Sequence, residues 1–317
     1  MASVLVTGAA GFIGSRLTEL LSARGDSVIA VDCFLPNLYS AEMKRERFTQ
    51  LENLPGVTLL ELDLRDGDLS AIPPVDVVVN EAAMAGLTKS WDDFGVSVDN
   101  NVMALERLLR HASSPQLKKF IHISTSSVYG RVAEVAETGA TEPVSPYGVT
   151  KLAAEKLGFA YRENTGVPFI ALRYFSVYGV GQRPDMAYHR FLAAARDDEA
   201  ITVYGDGEQR RTNTYVDDCV AGTIAAIDHA APGEVYNLSG TESYSINEVL
   251  ALVESITGKA LDVRYEEARA GDQRETRGVI TKAQNELGYA PQWTLEEGLR
   301  AEWEWIQGLS KEFSHRP

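Results

Sequence analysis

Short apolar runs alternate with helix-like stretches along the first half of the chain. Six runs have the length and composition of buried strands: SVLVTG, SVIAVD, VTLLELD, VDVVVNEAA, KKFIHISTSS and PFIALRYF. Between them, apolar residues recur at helical spacing in FIGSRLTELLSARG, near Val98–Ala112 and over Tyr147–Thr165. Apolar strands that alternate with helices predict an α/β fold, a doubly wound parallel sheet covered on both faces.

The pattern changes after Phe175. The stretches SVYGVGQRPDM and ITVYGDGEQRRTNTYVDD are rich in glycine and arginine, which indicates loops, although ITVY predicts a short strand. CVAGTIAAIDHA predicts a helix and EVYNLSG one more strand. A helix with a capping box at Ser245 and Glu248 follows, and Thr294–Gln307 forms an amphipathic helical tail. No linker separates two domains, so we expect a smaller lobe built from insertions and the C-terminal part.

Three glycines lie where the first strand turns into the first helix. Gly8 permits the tight turn, Gly11 lets the backbone approach a pyrophosphate, and Gly14 lets the helix lie close to the sheet. The helix N-terminus attracts phosphates. Asp32 ends the second strand; its carboxylate can accept from both ribose hydroxyls and repels a 2′-phosphate. The alternative is a turn without phosphate, but this context predicts a Rossmann-type domain that binds NAD rather than NADP.

Two further strand ends carry candidate cofactor contacts. Asp63 follows the third strand and can bond an adenine amino group, or it can cap the loop. Ala82, Ala83 and Ala85 follow the fourth strand, where ligands of this fold sit. Small side chains at this edge leave room for a cofactor, although they can also pack a turn.

A tyrosine and a lysine four residues apart supply the candidate chemistry. Tyr147 and Lys151 share one face of a predicted helix. The lysine ammonium and a positive nicotinamide ring favour the phenolate, which can then act as general base toward an alcohol. At the end of the fifth strand, Thr125 can bond the same hydroxyl, and Ser124 can contact nicotinamide or a backbone group; alternatively both cap the strand.

Composition narrows the function classes. The 317 residues carry a net charge of −15, which argues against a nucleic-acid surface. The five histidines show no metal-ligand spacing, so we expect no metal. The two cysteines, Cys33 and Cys219, make no disulfide framework, and no window offers a membrane span. No signal peptide precedes the first strand, and the cytoplasm is the expected compartment.

Several motifs in order make the chain resemble the extended short-chain dehydrogenases/reductases of the nucleotide-sugar epimerase/dehydratase kind. They are TGAAGFIG, STSSVYG, SPYGVTK, RYFSVYG and YVDD. The resemblance implies that bound NAD oxidises a sugar hydroxyl at C4 and that Thr125, Tyr147 and Lys151 are catalytic. It also implies homodimers formed through the helices near 98–112 and 147–165. It adds further cofactor contacts, namely Phe12, Ile13, Leu64 and Tyr174.

The resemblance also narrows the reaction. Ser126 and Ser127 stand where 4,6-dehydratases carry an acid pair and where uronate decarboxylases carry a glutamate, so simple epimerisation remains. GQRPDMAYHRF is similar to the segment of UDP-glucuronate 4-epimerases in which an arginine, here Arg183, holds the sugar carboxylate. Ser176 replaces the asparagine of many hexose epimerases, and the stretch DCFLPNLYSAEMKRERF resembles a long loop of the glucuronate group.

The UDP moiety is assigned to the second lobe by the same resemblance. Arg211 and Arg269 match diphosphate arginines, Asp272 matches an acid on the ribose, and uracil is expected beside the strand containing Val203 and Tyr204. We therefore expect an NAD-binding domain over residues 1–175 and 209–238, and a nucleotide-sugar lobe over 176–208 and 239–317. Ordinary salt bridges are the alternative for the arginines.

The expected activity is 4-epimerisation of UDP-glucuronate to UDP-galacturonate through a transient 4-keto sugar. Three alternatives stay open. The chain can be a 4-epimerase of neutral UDP-glucose or UDP-N-acetylglucosamine, a UDP-glucuronate decarboxylase, or a non-catalytic NAD-binding protein. The complete set Thr125, Tyr147 and Lys151 favours an enzyme over the last of these.

Overall fold

A computed structural model describes residues 1–36, 38–131, 134–267 and 274–309 of the chain. Its strands are β1 Ser3–Thr7, β2 Ser27–Asp32, β3 Val57–Glu61, β4 Val77–Asn80, β5 Lys119–Thr125, β6 Glu134–Val135, β7 Phe169–Tyr174, β8 Val177–Tyr178, β9 Ile201–Tyr204, β10 Arg210–Thr212, β11 Thr214–Tyr215, β12 Val235–Leu238, β13 Ser243–Ser245, β14 Val263–Glu266 and β15 Glu275–Gly278.

The helices are α1 Phe12–Arg24, α2 Ala41–Gln50, α3 Lys89–Asp92, α4 Phe94–Val98, α5 Ala104–Ala112, α6 Pro146–Thr165, α7 Ala187–Asp197, α8 Val216–His229, α9 Ile246–Thr257, α10 Thr281–Leu287 and α11 Leu295–Gln307. Short 3₁₀ turns cover Leu51–Asn53, Leu69–Ala71 and Ser126–Tyr129, and a π-helical turn covers Asp99–Met103.

Seven strands form the predicted doubly wound parallel sheet. Their order is β12-β7-β5-β4-β1-β2-β3, and every neighbouring pair is parallel. Alternate residues of a strand face opposite sides: Val4 and Val6 pack in the larger core with α1 and α8, whereas Leu5 packs against α5 and α6. Burial on both faces explains why the strands are continuous apolar runs.

The remaining strands form smaller sheets around the carboxyl end of the large one. One has the order β13-β10-β15-β6, and two others pair β11 with β8 and β14 with β9. Helices α7, α9 and α11 contact one another beside them. The predicted capping box at Ser245 and Glu248 is confirmed, and the tail helix begins with a second capping box at Thr294 and Glu297.

Two elements differ from the sequence expectation. The stretch after β2 is only partly a loop, because Ala41–Gln50 is a helix whose N-terminus is capped by Ser40 accepting from the backbone N–H of Met43 at 3.2 Å. The helix expected near 98–112 begins earlier, at Phe94, and contains the π-helical turn. Apolar spacing marks the buried face of a helix but carries no signal for a single wider turn.

Candidate active site

A cavity of about 550 Å³ lies at the carboxyl ends of the parallel strands. Residues from the ends of β1, β2, β4, β5 and β7 line it, together with the start of α6. In an open parallel sheet this edge is where ligands bind, because the turns that follow the strands converge there.

The glycine corner has no space for side chains. Gly8 has a φ of +70°, and a Cβ there would lie 2.8 Å from the Ala82 nitrogen. A Cβ on Gly14 would lie 2.3 Å from the Gly8 carbonyl oxygen. Helix α1 starts at Phe12 with no side-chain cap, so its N-terminus is open to the cavity. This cradle fits the pyrophosphate of a dinucleotide.

The two predicted acids at the strand ends are held by different partners. Asp32 accepts from the backbone N–H groups of Ala10 at 3.0 Å and Phe34 at 2.8 Å, which fixes its carboxylate beside the glycine corner. Asp63 accepts from the backbone and the guanidinium of Arg65, with Nη2–Oδ2 at 2.6 Å. This ion pair lowers the pKa of Asp63. The loop-capping role is thus observed, and both acids line the cavity.

Tyr147 and Thr125 meet at the start of α6. The helix is N-capped by Ser145, and the Tyr147 N–H donates to Ser90 Oγ at 3.1 Å, so the backbone of the tyrosine is fixed. The pKa of Tyr147 is raised, because burial outweighs the opposing influences of the Thr125 hydroxyl and the positive charge of Arg183. The sequence predicted Lys151 for this lowering; Thr125 and Arg183 are the groups that act on the phenol here.

Lys151 is almost fully buried, at 2% exposure, and lines the cavity one helical turn after Tyr147. Burial lowers its pKa to about 8, and the carboxylates of Glu81 and Glu155 oppose that shift. The ammonium therefore depends on acidic neighbours to keep its proton at neutral pH.

A buried ion pair beneath Lys151 was not predicted. Arg173 binds Glu155 at two points, Nε–Oε1 at 2.9 Å and Nη2–Oε2 at 2.7 Å. Ser124 donates to the same carboxylate, and Arg173 Nη1 donates to Tyr129 Oη at 2.7 Å. The hydroxyl of Ser124 is therefore used by Glu155 rather than by a backbone group. The signal in the sequence was an arginine inside an otherwise apolar strand.

Glu81 is a second carboxyl group that sequence reasoning missed. It follows β4 and lines the cavity, and its Oε1 lies 2.9 Å from Tyr174 Oη. Burial raises the pKa of Glu81 to about 7, against the hydrogen bond of Tyr174 and the charge of Lys151. An acid beside the small residues of NEAAMAG was the available signal.

Arg183 lines the cavity, and its guanidinium is bound by the carboxylate of Asp185. Its Nε is 2.9 Å from Asp185 Oδ1 and its Nη2 is 3.0 Å from Oδ2. Because this pair fixes the plane of the guanidinium, the remaining N–H groups have a defined direction.

Most of the predicted site residues converge on this cavity. Those lining it are Gly8, Gly11, Phe12, Ile13, Gly14, Asp32, Asp63, Leu64, Ala82, Ala83, Ala85, Ser124, Thr125, Ser126, Ser127, Tyr147, Lys151, Tyr174, Ser176, Arg183 and Arg211. Ser176 reaches it from a backbone with a φ of +32°, unusual for a residue other than glycine.

Two predicted residues are placed elsewhere, and two more lie outside the described part of the chain. Val203 and Tyr204 belong to β9 and are not part of the cavity lining, and the Val203 side chain is buried in the larger core. Val203 therefore has no side chain to offer a ligand in this cavity. Arg269 and Asp272 lie outside the described residues.

The described part of the chain contains neither a metal-binding cluster nor a membrane-spanning helix. Among those residues, no group of three or more histidine, cysteine, aspartate or glutamate side chains could hold a metal ion. Within the same ranges, no helix is long and apolar enough to cross a membrane.

The parallel sheet, the glycine corner and the Tyr147–Lys151 pair define a dinucleotide-dependent enzyme fold of the Rossmann type. Comparison with known families is more specific: the chain belongs to the NAD dependent epimerase/dehydratase family, whose model matches residues 4–239. NAD is the cofactor of that family, and the cradle around Gly8 and Gly14 fits it.

Individual relatives extend over nearly the whole chain. The chain is 39% identical to an uncharacterized UDP-glucose epimerase of Bacillus subtilis, with 96% of this chain and 98% of the relative covered. It is 33% identical to UDP-glucuronate 4-epimerase of Thermodesulfobacterium geofontis, with 96% of each covered. The crystal structure of UDP-glucuronic acid 4-epimerase from Bacillus cereus with UDP-glucuronic acid and NAD superposes with a TM-score of 0.92 at 40% identity, covering 96% of this chain and 99% of that one.

Proposed function

We propose that this protein is an isomerase that converts UDP-glucuronate to UDP-galacturonate by NAD-dependent epimerisation at C4. The observation that carries the proposal is the position of Arg183, which lines the cavity and lies close enough to Tyr147 for its charge to lower the pKa of that phenol. A uronate whose C4 hydroxyl meets Tyr147 would then have its carboxylate, on the neighbouring carbon, near the guanidinium.

The chain's own residues account for the proton steps. Tyr147 takes the proton of the C4 hydroxyl and later returns it, while Thr125, which lines the same cavity and lowers the pKa of the phenol, holds that hydroxyl in place. The positive charge of Arg183 favours the phenolate, and Lys151 adds a second positive charge to the cavity one helical turn away. NAD, when bound, accepts the hydride from C4 and returns it to the opposite face of the ketone. The cycle is redox-neutral.

Arg183 has a second task in this mechanism. The 4-keto uronate is a β-keto acid, which loses CO₂ when the bond to its carboxylate aligns with the carbonyl π system. A guanidinium held in one plane by Asp185 can bind the carboxylate at two points and keep it out of that alignment. Ser126 and Ser127 in the cavity offer hydroxyl groups but no acid, which favours epimerisation over dehydration.

The UDP end of the substrate is assigned to the smaller lobe. Arg211 lines the cavity and is the candidate for the diphosphate, while Arg269 and Asp272 are proposed for phosphate and ribose. Uracil is proposed to contact the backbone of β9 at Val203 and Tyr204. The corresponding division is an NAD-binding domain over 1–175 and 209–238 and a nucleotide-sugar lobe over 176–208 and 239–317. The membership of β12 in the large sheet supports it, whereas β10, which carries Arg211, pairs in a smaller sheet with β13 and β15, so Arg211 would reach the diphosphate from the lobe side.

We propose a homodimer formed through the helices over 94–112 and 146–165. These helices contact each other, and Met103 and Val149 on them are about half exposed, at 51% and 46%. A second copy of this face would cover them. Light scattering on the wild type should give twice the mass of one chain, and a Met103→Glu, Val149→Glu variant should be monomeric. A monomeric wild type rejects the dimer.

The reducing cytoplasm is the proposed compartment, because Cys33 and Cys219 are both free thiols and Cys219 is buried. Fractionation of cells expressing the natural protein tests this, and recovery from an oxidising compartment rejects it.

The activity is tested by incubating the pure protein with NAD and UDP-glucuronate and following the sugar signals by NMR. Appearance of UDP-galacturonate supports the proposal. Turnover of UDP-glucose without conversion of UDP-glucuronate would instead favour the neutral-sugar 4-epimerase, the activity named for the Bacillus subtilis relative. A pentose product identifies a decarboxylase, and no turnover of any sugar nucleotide indicates a non-catalytic NAD-binding protein.

A further inference from the structure

A chain of hydrogen bonds leads from the cavity into the core of the protein. Glu81 Oε1 lies 2.9 Å from Tyr174 Oη, and Tyr174 Oη lies 2.6 Å from Thr223 Oγ1. Thr223 Oγ1 lies 2.9 Å from the carbonyl oxygen of Cys219, one turn earlier in α8. Glu81 faces the cavity, whereas Thr223 and Cys219 are fully buried.

Two arrangements of the hydroxyl hydrogens are possible along this hydrogen-bond chain. Each hydroxyl has one hydrogen to donate. If Thr223 donates to the Cys219 carbonyl, Tyr174 donates to Thr223, and the contact between Glu81 and Tyr174 then requires a proton on Glu81. If Glu81 is ionised, Tyr174 donates to the carboxylate and Thr223 turns its hydrogen to Tyr174. The hydrogen-bond chain can therefore accommodate either protonation state of Glu81, because the direction of donation along it can reverse.

The charged and titratable groups facing Glu81 come from three elements. Lys151 on α6 acts on it through its charge, and Glu81 in turn acts on Tyr147 of the same helix. Tyr174 on β7 is hydrogen-bonded to it, and the Cys219 thiol on α8 feels its charge. The other acid beside Lys151, Glu155, forms an ion pair with Arg173, which balances its charge. The pKa of the buried His122 imidazole is affected by the charge of Lys151 and not by that of Glu81. Glu81 is thus the carboxyl group free to change its charge at Lys151.

We propose that Glu81 is a positioning residue whose protonation, coupled to the direction of the Tyr174–Thr223 chain, sets how firmly Lys151 holds its positive charge in the active site. The ionised form stabilises the ammonium, and the neutral form does not. The proton that Glu81 releases passes to water in the cavity, so no further reactant is required. The kinetic consequence rests on the proposed function, whereas the titration itself does not.

The direction of the pKa shifts agrees with this geometry. Burial raises the pKa of Glu81 to about 7, so its charge changes within the neutral range. Burial lowers the pKa of Lys151 to about 8, and Glu81 is the largest opposing influence. Removing the carboxylate lowers the pKa of Lys151 further, so the ammonium is lost at a lower pH.

Infrared difference spectra of the cofactor-free protein test the titration directly. Wild type minus Glu81→Gln isolates the carbonyl band of one neutral carboxylic acid, because every other acid cancels. We expect the band to disappear as the pH rises through about 7. In Thr223→Val, Tyr174 loses its onward acceptor, so neutral Glu81 can no longer donate to a Tyr174 hydroxyl that donates to Thr223; this loss for the neutral form should lower the midpoint by about one pH unit.

Thr257→Val is the matched control, because Thr257 also donates to the carbonyl one turn earlier, at Val253, but lies in α9 away from the cavity. Its midpoint should equal that of the wild type. A difference spectrum without a band that titrates in the neutral range overturns the proposal, as does a midpoint unchanged in Thr223→Val.

Kinetics supply the second readout. The alkaline limb of kcat/KM should move to lower pH in Glu81→Gln, with little change in KM at the acid end. An unchanged limb would reject the link to Lys151. Because the infrared titration needs no substrate, an inactive protein with a titrating band rejects only the proposed function, and an active epimerase without the band rejects only this inference.

Discussion

Arg183 and Asp185 form a two-point ion pair inside the cavity, Nε–Oδ1 at 2.9 Å and Nη2–Oδ2 at 3.0 Å. Only one residue separates them in sequence, so the turn of RPDM directs both side chains to the same place. The pair gives the guanidinium a fixed plane, and the proposed binding of a uronate depends on that plane.

Replacing Arg183 by lysine should raise the KM for UDP-glucuronate. A lysine keeps the charge but loses the planar fork, and loss of a charge-assisted hydrogen bond costs about 1.5–3 kcal/mol, roughly 10- to 100-fold. Steady-state kinetics check this, with Arg190→Lys, an exposed position shortly after it, as the control. An unchanged KM would show that Arg183 does not bind the substrate carboxylate, and it would favour a neutral sugar as the substrate.

Tyr147→Phe should lower kcat by about 10²- to 10⁴-fold, the usual worth of a general acid–base group, without preventing NAD binding. Fluorescence titration with NADH separates binding from chemistry. Tyr161→Phe is the matched control, because Tyr161 lies on the same helix but bonds Glu106 outside the cavity. Equal losses in both variants would contradict a catalytic role for Tyr147.

Arg173→Met should destabilise the protein by about 3–5 kcal/mol, because it leaves Glu155 buried without its partner. Denaturant unfolding monitored by circular dichroism measures the loss. Arg300→Met breaks an exposed ion pair with Glu296 and should cost less than about 1 kcal/mol. A similar loss of unfolding free energy in the two variants would show that the buried pair contributes no more to stability than the exposed pair.

Glu302→Gln should stabilise the protein at pH 8 more than at pH 5. Burial raises the pKa of Glu302 well above its usual value, and within the described residues neither of its carboxyl oxygens has a hydrogen-bond partner. The folded state therefore holds a proton that the unfolded state releases above the usual glutamate pKa, so stability falls as the pH rises.

Glutamine is neutral at every pH, so the variant should not lose stability between pH 5 and pH 8 as the wild type does. Thermal melts at the two pH values measure the effect, and the exposed Glu304→Gln on the same helix serves as control. A gain that is independent of pH would mean that Glu302 is ionised in the folded protein.

The cofactor half of the site was predictable because it is encoded locally. Gly8, Gly11 and Gly14 are required because a single turn leaves no space for side chains there. Asp32 ends the neighbouring strand. Tyr147 and Lys151 share a helix face through spacing alone. The capping box at Ser245 was likewise contained within four residues.

The sequence by itself therefore determined the parallel sheet, the succession of strands and helices along the chain and most of the residues that meet at the carboxyl edge of the sheet, because strand and helix periodicity act over a few residues. Tertiary structure alone decided the charge state of the site. Arg173 is close to Glu155, and Glu81 to Tyr174, only after strands and helices far apart in sequence have packed. The effect of these carboxyl groups depends on burial. Where water is excluded, the charge of a nearby carboxylate is strong enough to change the pKa of Lys151.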